Sequence, residues 1–201
     1  KHGPVLKDDN KAYALRFVGM NDVNHSTAWL KMNKSKNIDE WLDALRMEQL
    51  ASLNLVYADK DDNIFFVHNA KSPVRDPNYN WKQVVPGNKS ELIWRDFHPF
   101  ESVPQILNPS SGYIFSTNQN PFFVTAKEDN LSLSNFNPTM GFQTRTTNRA
   151  YRAYELLDAD KSISFSELDK YKHDNKFSYN SRQYKFMEEI FNHEFSENKL
   201  K

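Results

Sequence analysis

Asn118 is the residue whose type and setting most clearly admit chemistry. It follows the β-rich run Tyr113-Ile-Phe-Ser-Thr117 and leads into Gln119-Asn120-Pro121. A side-chain amide at the end of a strand can donate a hydrogen bond to the oxyanion that develops during acyl transfer. One such donor is typically worth about 10²–10³ in turnover. The competing reading is an Asn that satisfies turn backbone, and spacing alone favours that reading. A second constellation, Asp158-Ala-Asp-Lys-Ser-Ile-Ser-Phe-Ser-Glu167, carries oxygen ligands at intervals close to those of a calcium loop. Such a loop needs ~12 residues, a Gly at its sharp turn and a bidentate acid at its end. This run is too short and has no Gly, so it reads as a turn that caps the next helix. The six His show no HExxH or paired metal spacing. Ser26, Ser72 and Ser111 lack a G-x-S-x-G elbow, which disfavours an α/β-hydrolase triad.

Composition narrows the classes. The chain has 201 residues, 38% of them hydrophobic, enough for one domain with a real core. Its 15 Phe, 9 Tyr and 4 Trp predict that much of that core is aromatic. Net charge is zero and no polybasic run occurs, which argues against nucleic acid or an anionic membrane as partner. Mean hydropathy is −0.79, and no apolar stretch approaches the ~20 residues of a membrane span. With no Cys, thiol nucleophiles, disulfides and thiolate metal sites are excluded. Only 5 Gly are present, and neither GxGxxG nor a Walker pattern occurs. Lys1-His-Gly-Pro4 lacks the apolar region of a signal peptide, which in a fragment says nothing about export.

The elements that would position these residues read as a mixture. Pro4–Leu6 and Ala12–Val18 predict strands around a polar turn. Asn37 predicts an N-cap, with Ile38, Trp41, Leu42 and Leu45 at helical spacing as far as about Leu50. Asn54–Ala58 and Asn63–His68 predict a hairpin. The stretch from Ala70 to Asn108 holds several prolines and reads as a long loop pinned by Trp81, Trp94, Phe97 and Phe100. Tyr113–Thr117 predicts a strand. Helices are predicted over Asn148–Leu157, after the capping box Ser164-Phe-Ser-Glu167, and over Arg182–Phe195, with a charged tail from Ser196. No internal repeat or linker divides the chain, so residues 1–201 read as a single α+β domain with antiparallel pairing.

Set in order, several segments resemble the large chain of the penicillin amidase family. They are HGPV (2–5), NLVYAD (54–59), VPG (85–87), WRDFHPF (94–100), NPSSGYIFSTNQNPFF (108–123), MGFQTRTTNR (140–149) and the helix region 165–177. The resemblance covers roughly residues 1–190. It implies an N-terminal-nucleophile hydrolase fold, an αββα sandwich with antiparallel sheets, represented here by a fragment. It also implies hydrolysis of a linear amide through an ester on an N-terminal Ser, whose own α-amino group serves as base. The implied catalytic residues are Asn118, as oxyanion donor, and Arg145, which orients the nucleophile region. Phe115, Thr117 and Phe122 are the implied acyl-pocket residues, with core packing as the alternative for each ring.

Departures carry information too. Asp62-Asn-Ile-Phe65 stands where the family usually has Gly-Asn-Ile-Gly, and Asp96 where Gly is common. Thr117 replaces an aromatic residue, so the acyl group need not be phenylacetyl. Lys1 cannot act as the Ser nucleophile, so the expectation is a piece of a large subunit that is inactive alone. Its expected partners are the rest of the same precursor, small chain included, and a small acyl amide substrate. No cofactor is expected for the chemistry. A structural calcium in the complete enzyme, associated with Asp129, is admitted by the resemblance, as is a periplasmic or secreted location. The alternative from another class is a non-catalytic binding or structural module on the same scaffold.

Overall fold

The computed structural model describes residues 2–68 and 71–193. Lys1, Ala70, Phe195 and the tail from Ser196 lie outside the described residues. In chain order the elements are the hairpin β1 (Val5–Asp8) and β2 (Lys11–Ala14), helices α1 (His25–Lys34) and α2 (Ile38–Leu45), and strands β3 (Asn54–Ala58) and β4 (Ile64–His68). The short pair β5 (Ser72–Pro73) and β6 (Phe97–His98) follows, then β7 (Gln105–Leu107). Helices α3 (Asn148–Ala159), α4 (Phe165–Lys172) and α5 (Arg182–Phe191) complete the described chain.

A three-stranded antiparallel sheet, ordered β3-β4-β7, is the centre of the molecule. Its middle strand is apolar on both faces because both are covered. Phe65 and Val67 point to one side, opposite Tyr57 and Leu55 of β3. There they meet Ala28 and Met32 of α1, and Trp41, Ala44 and Leu45 of α2. Phe66 points the other way and packs with Ile106 of β7 and Val124 of the following loop. Phe66 and Val67 are fully buried. Removing a side chain of this size from water contributes about 1.5–3 kcal/mol.

Local chemistry accounts for the element boundaries. Asn37 accepts a hydrogen bond from the Glu40 N–H at 2.9 Å and starts α2, as its sequence position predicts. The β3–β4 turn closes on Asp59, whose Oδ1 accepts from the backbone N–H groups of Asp61 and Asn63. Asp62 takes the left-handed conformation there, with φ 60°, so the hairpin forms with Asp where the resemblance would place Gly. Ser164 and Glu167 form the predicted capping box of α4. In the long stretch before β7, the Arg75 guanidinium lies over Trp81 at 5.6 Å and over Trp94 at 4.9 Å. Phe100 is buried, and Trp81, Trp94 and Phe97 are half-buried.

Several expectations are corrected. Tyr113–Thr117 forms no strand; the Phe115 N–H donates to the Val124 carbonyl, but the other local partners are side chains. Strand β2 ends at Ala14 rather than Val18, and α2 ends at Leu45 rather than Leu50. Glu48 and Ser52, with φ 51° and 64°, cannot continue a right-handed helix. Helix α1 and strand β7 lack a sequence signal of their own. Helix α1 buries only Ala28 and Met32, and β7 is three residues long.

Candidate active site

The segment 111–131 covers the face of the sheet opposite α1 and α2. Its form is set by side-chain amides. Asn130 Oδ1 accepts from the Val124 N–H at 2.8 Å, while its Nδ2 donates to the carbonyls of Thr125 and Ala126. Thr125 Oγ1 donates to the Tyr113 carbonyl at 2.7 Å. Gln119 is buried: its Oε1 accepts from the Thr117 N–H at 2.6 Å, and its Nε2 donates to the carbonyls of Phe115 and Phe123. These groups occupy the backbone that a strand would have offered to a neighbour.

Asn118 stands at the tip of this latched loop. It is exposed and adopts φ 67°, in the left-handed region that Asn tolerates better than most residues. Among the described residues its side-chain amide has no hydrogen-bond partner. The loop is tied down on two sides. On the sheet side, Asn54 Nδ2 donates to the Gln119 carbonyl at 3.0 Å and reaches Ser116 Oγ at 3.4 Å. Asn54 Oδ1 accepts from His68 Nδ1, its cross-strand partner. Because Asn54 turns its NH₂ end to a carbonyl, its oxygen faces His68, which makes His68 the Nδ1–H tautomer. Burial pushes the His68 imidazole down to about 4, so it is neutral at pH 7.

On the helix side, Asn120 Nδ2 donates to the Thr144 carbonyl at 3.1 Å and to Thr146 Oγ1 at 3.2 Å. Thr147 then caps α3, whose Tyr151 and Tyr154 pack against Phe123 with ring centroids 5.5 and 4.9 Å apart. Arg145 lies between the two Thr clamped by Asn120. It is exposed and lines a cleft of about 610 Å³ with Tyr151, Arg182, Lys185, Phe186 and Glu189. Asn118 is not among the residues lining that cleft. The two expected catalytic residues are therefore joined through Asn120 rather than by direct contact.

The expected pocket residues separate. Phe115 is buried against Tyr113 and Phe123. Thr117 is half-buried, with its N–H and hydroxyl both on Gln119 Oε1. Phe122 is half-buried and joins Phe136 and Phe142 in an edge-on cluster that Phe142 extends to the His68 ring at 5.7 Å. Asp129 offers a single carboxylate, held below its ordinary range by the N–H and hydroxyl of Ser111 and by Ser110. Among the described residues no group of three or more His, Asp or Glu could hold a metal ion. Asn54, His68, Gln119 and Asn120 escaped the sequence reading. For Gln119 and Asn120 the only local sign is a run of amides before a proline, which ordinary turns share; Asn54 and His68 read simply as hairpin residues.

The sequence model of the penicillin amidase family, described as penicillin amidase, matches residues 1–199. The chain belongs to the penicillin amidase family. Penicillin G acylase of Escherichia coli is 35% identical over 124 residues, which are 60% of this chain and 14% of that protein. Penicillin acylase 2 proenzyme of Pseudomonas sp. (strain SE83) is 31% identical over 122 residues, 59% of this chain and 16% of that protein. The thermostable penicillin G acylase from Alcaligenes faecalis superposes with a TM-score of 0.67 at 26% identity, over 85% of this chain and 29% of that one. The mixed helical and antiparallel architecture is therefore that of a penicillin amidase, an N-terminal-nucleophile hydrolase. The chain spans about a sixth or less of the curated relatives it matches. Among the described residues, no helix is long and apolar enough to cross a membrane.

Proposed function

We propose that this chain is the oxyanion-stabilising part of an acylase that hydrolyses a linear amide. The observation that carries the reading is Asn118, whose amide is unpartnered among the described residues at the tip of a loop latched on two sides. In this reading an N-terminal Ser, supplied by a segment of the precursor outside this chain, attacks the amide carbonyl and passes its hydroxyl proton to its own α-amino group. Asn118 Nδ2 donates to the resulting oxyanion. Collapse, with the α-ammonium returning its proton to the leaving nitrogen, expels the amine and leaves an acyl ester. Water, losing a proton to the same α-amino group, then attacks that ester; the second oxyanion forms at the same donor, and its collapse releases the carboxylic acid and returns the proton to the Ser oxygen. Arg145 orients the nucleophile region. The ring of Phe122, packed with Phe136 and Phe142, supplies part of an apolar wall, and Thr117 leaves room for an acyl group other than phenylacetyl.

The reading also makes the rest of the precursor the partner of this chain. The small share of the relatives that the chain covers, and the proenzyme form named for one of them, support that. Its chemistry needs no cofactor, any calcium at Asp129 would be structural, and a periplasmic or secreted location follows the family expectation.

The test uses the complete protein and a panel of acyl p-nitroanilides. Asn118→Gly keeps the left-handed backbone at no steric cost and removes only the donor. Turnover is expected to fall about 10²–10³-fold with KM little changed and Tm preserved. Unchanged turnover in a folded Asn118→Gly protein would end the catalytic assignment.

A further inference from the structure

Resting on the acylase reading, we infer that Asn120 is a positioning residue for the reaction: it clamps the loop carrying Asn118 to the segment carrying Arg145. Three hydrogen bonds define the clamp. Asn120 Oδ1 accepts from the Phe122 N–H at 2.9 Å, and Nδ2 donates to the Thr144 carbonyl and to Thr146 Oγ1. Two of these partners have fixed roles, since a backbone N–H only donates and a carbonyl only accepts. The amide therefore has one orientation, and both of its ends are used.

Neighbouring latches do other work. The Gln119 side chain bonds only within the loop, to Thr117, Phe115 and Phe123, and so sets its shape. Asn54 ties the loop to the sheet. Asn120 bridges a sequence gap of 24 and 26 residues to reach both Thr that flank Arg145. Asn120 is only 6% exposed, so water is a poor substitute for these bonds. No near relative fits the position. Asp keeps the acceptor for Phe122 but turns a carboxylate oxygen toward the Thr144 carbonyl. Gln is one methylene too long for a packed site.

A residue that merely stabilises the fold would lower Tm and leave turnover per folded enzyme intact. A positioning residue lowers turnover through Asn118, so its effect shrinks once Asn118 is gone. In the complete protein, with acyl p-nitroanilides as probe, Asn120→Asp is expected to lower kcat about 10–100-fold with KM within about threefold. Thr146→Val, which removes one acceptor at constant shape, is expected to lower kcat about 3–10-fold. The double variant Asn118→Gly/Asn120→Asp is expected to lie within about threefold of Asn118→Gly alone. Wild-type kcat in folded Asn120→Asp, or fully multiplicative losses in the double variant, would overturn the inference and leave the acylase reading standing. If Asn120→Asp does not fold, Thr146→Val decides, and wild-type kcat there overturns it equally. Unchanged kcat in Asn118→Gly would instead sink the acylase reading and the inference with it.

Discussion

Side-chain amides at Gln119 and Asn120, both buried, and at Asn54 and Asn130, both half-buried, set the geometry around Asn118, and each faces partners that leave it one orientation. Breaking one buried donor or acceptor costs about 1–3 kcal/mol, because the abandoned partner stays out of water. His68 extends this network and gives it a pH dependence. The native imidazole titrates at about 4, below the ordinary 6.5. Between those values the unfolded chain binds a proton that the native state refuses, so stability rises with pH across that window. The contribution is therefore present above about pH 6.5 and is lost as pH falls toward 4. An NMR titration of the His68 ring should show a midpoint below 5, and a midpoint near 6.5 would contradict the buried neutral tautomer. His68→Gln should flatten the acid limb of the stability curve over the same interval. None of this was legible at the level of single residues, because an Asn in a turn and an Asn in a clamp look alike in sequence.

Elements whose ends are determined locally were the legible ones. Asn37 and the Ser164–Glu167 capping box were both readable, since a cap needs only the next few residues. Asn37→Ala should cost about 0.5–2 kcal/mol in a denaturant titration, because α2 carries the buried Trp41 and Leu45 of the core. The hairpin β1–β2 offers a sharper test. Gly3 adopts φ 138°, and a Cβ there would stand 1.8 Å from the Leu15 carbonyl oxygen. Gly3→Ala is thus expected to detach the base of the hairpin, read as loss of amide-exchange protection at Leu15, whose N–H donates to the Pro4 carbonyl at 2.9 Å. Retained protection would mean that the backbone can shift to admit a methyl group. Tyr113–Thr117 failed as a strand for the opposite reason. β-propensity records the fit of a side chain to a half-buried surface, and here Gln119 and Thr125 took the backbone groups that a neighbouring strand would have needed.

At the scale of the whole molecule, much apolar surface faces outward. Phe186, Met187, Ile190 and Phe191 of α5 are exposed, as are Val5, Leu6 and Phe17 around the first hairpin. Patches of this kind mark interaction surfaces more often than free ones. With the chain spanning a small share of its relatives, the proposed cover is the rest of the precursor. The chain expressed by itself is expected to self-associate or to bind a hydrophobic dye strongly, and co-expression with the preceding part of the precursor is expected to abolish both. A monomeric chain without dye binding would show that these faces need no cover.

What the sequence by itself determined about this protein was its family, its mixed antiparallel class and its helix caps. Family identity is spread over many collinear residues, and caps and turns depend on neighbours in the chain. Only the tertiary structure decided that β4 is buried on both faces, that Tyr113–Thr117 is a latched loop, and that Asn118 and Arg145 meet through Asn120. Those facts rest on contacts between residues far apart in sequence. Whether an amide finds a backbone partner, a side chain or water depends on which segments the sheet and α3 bring alongside it, and no local pattern encodes that.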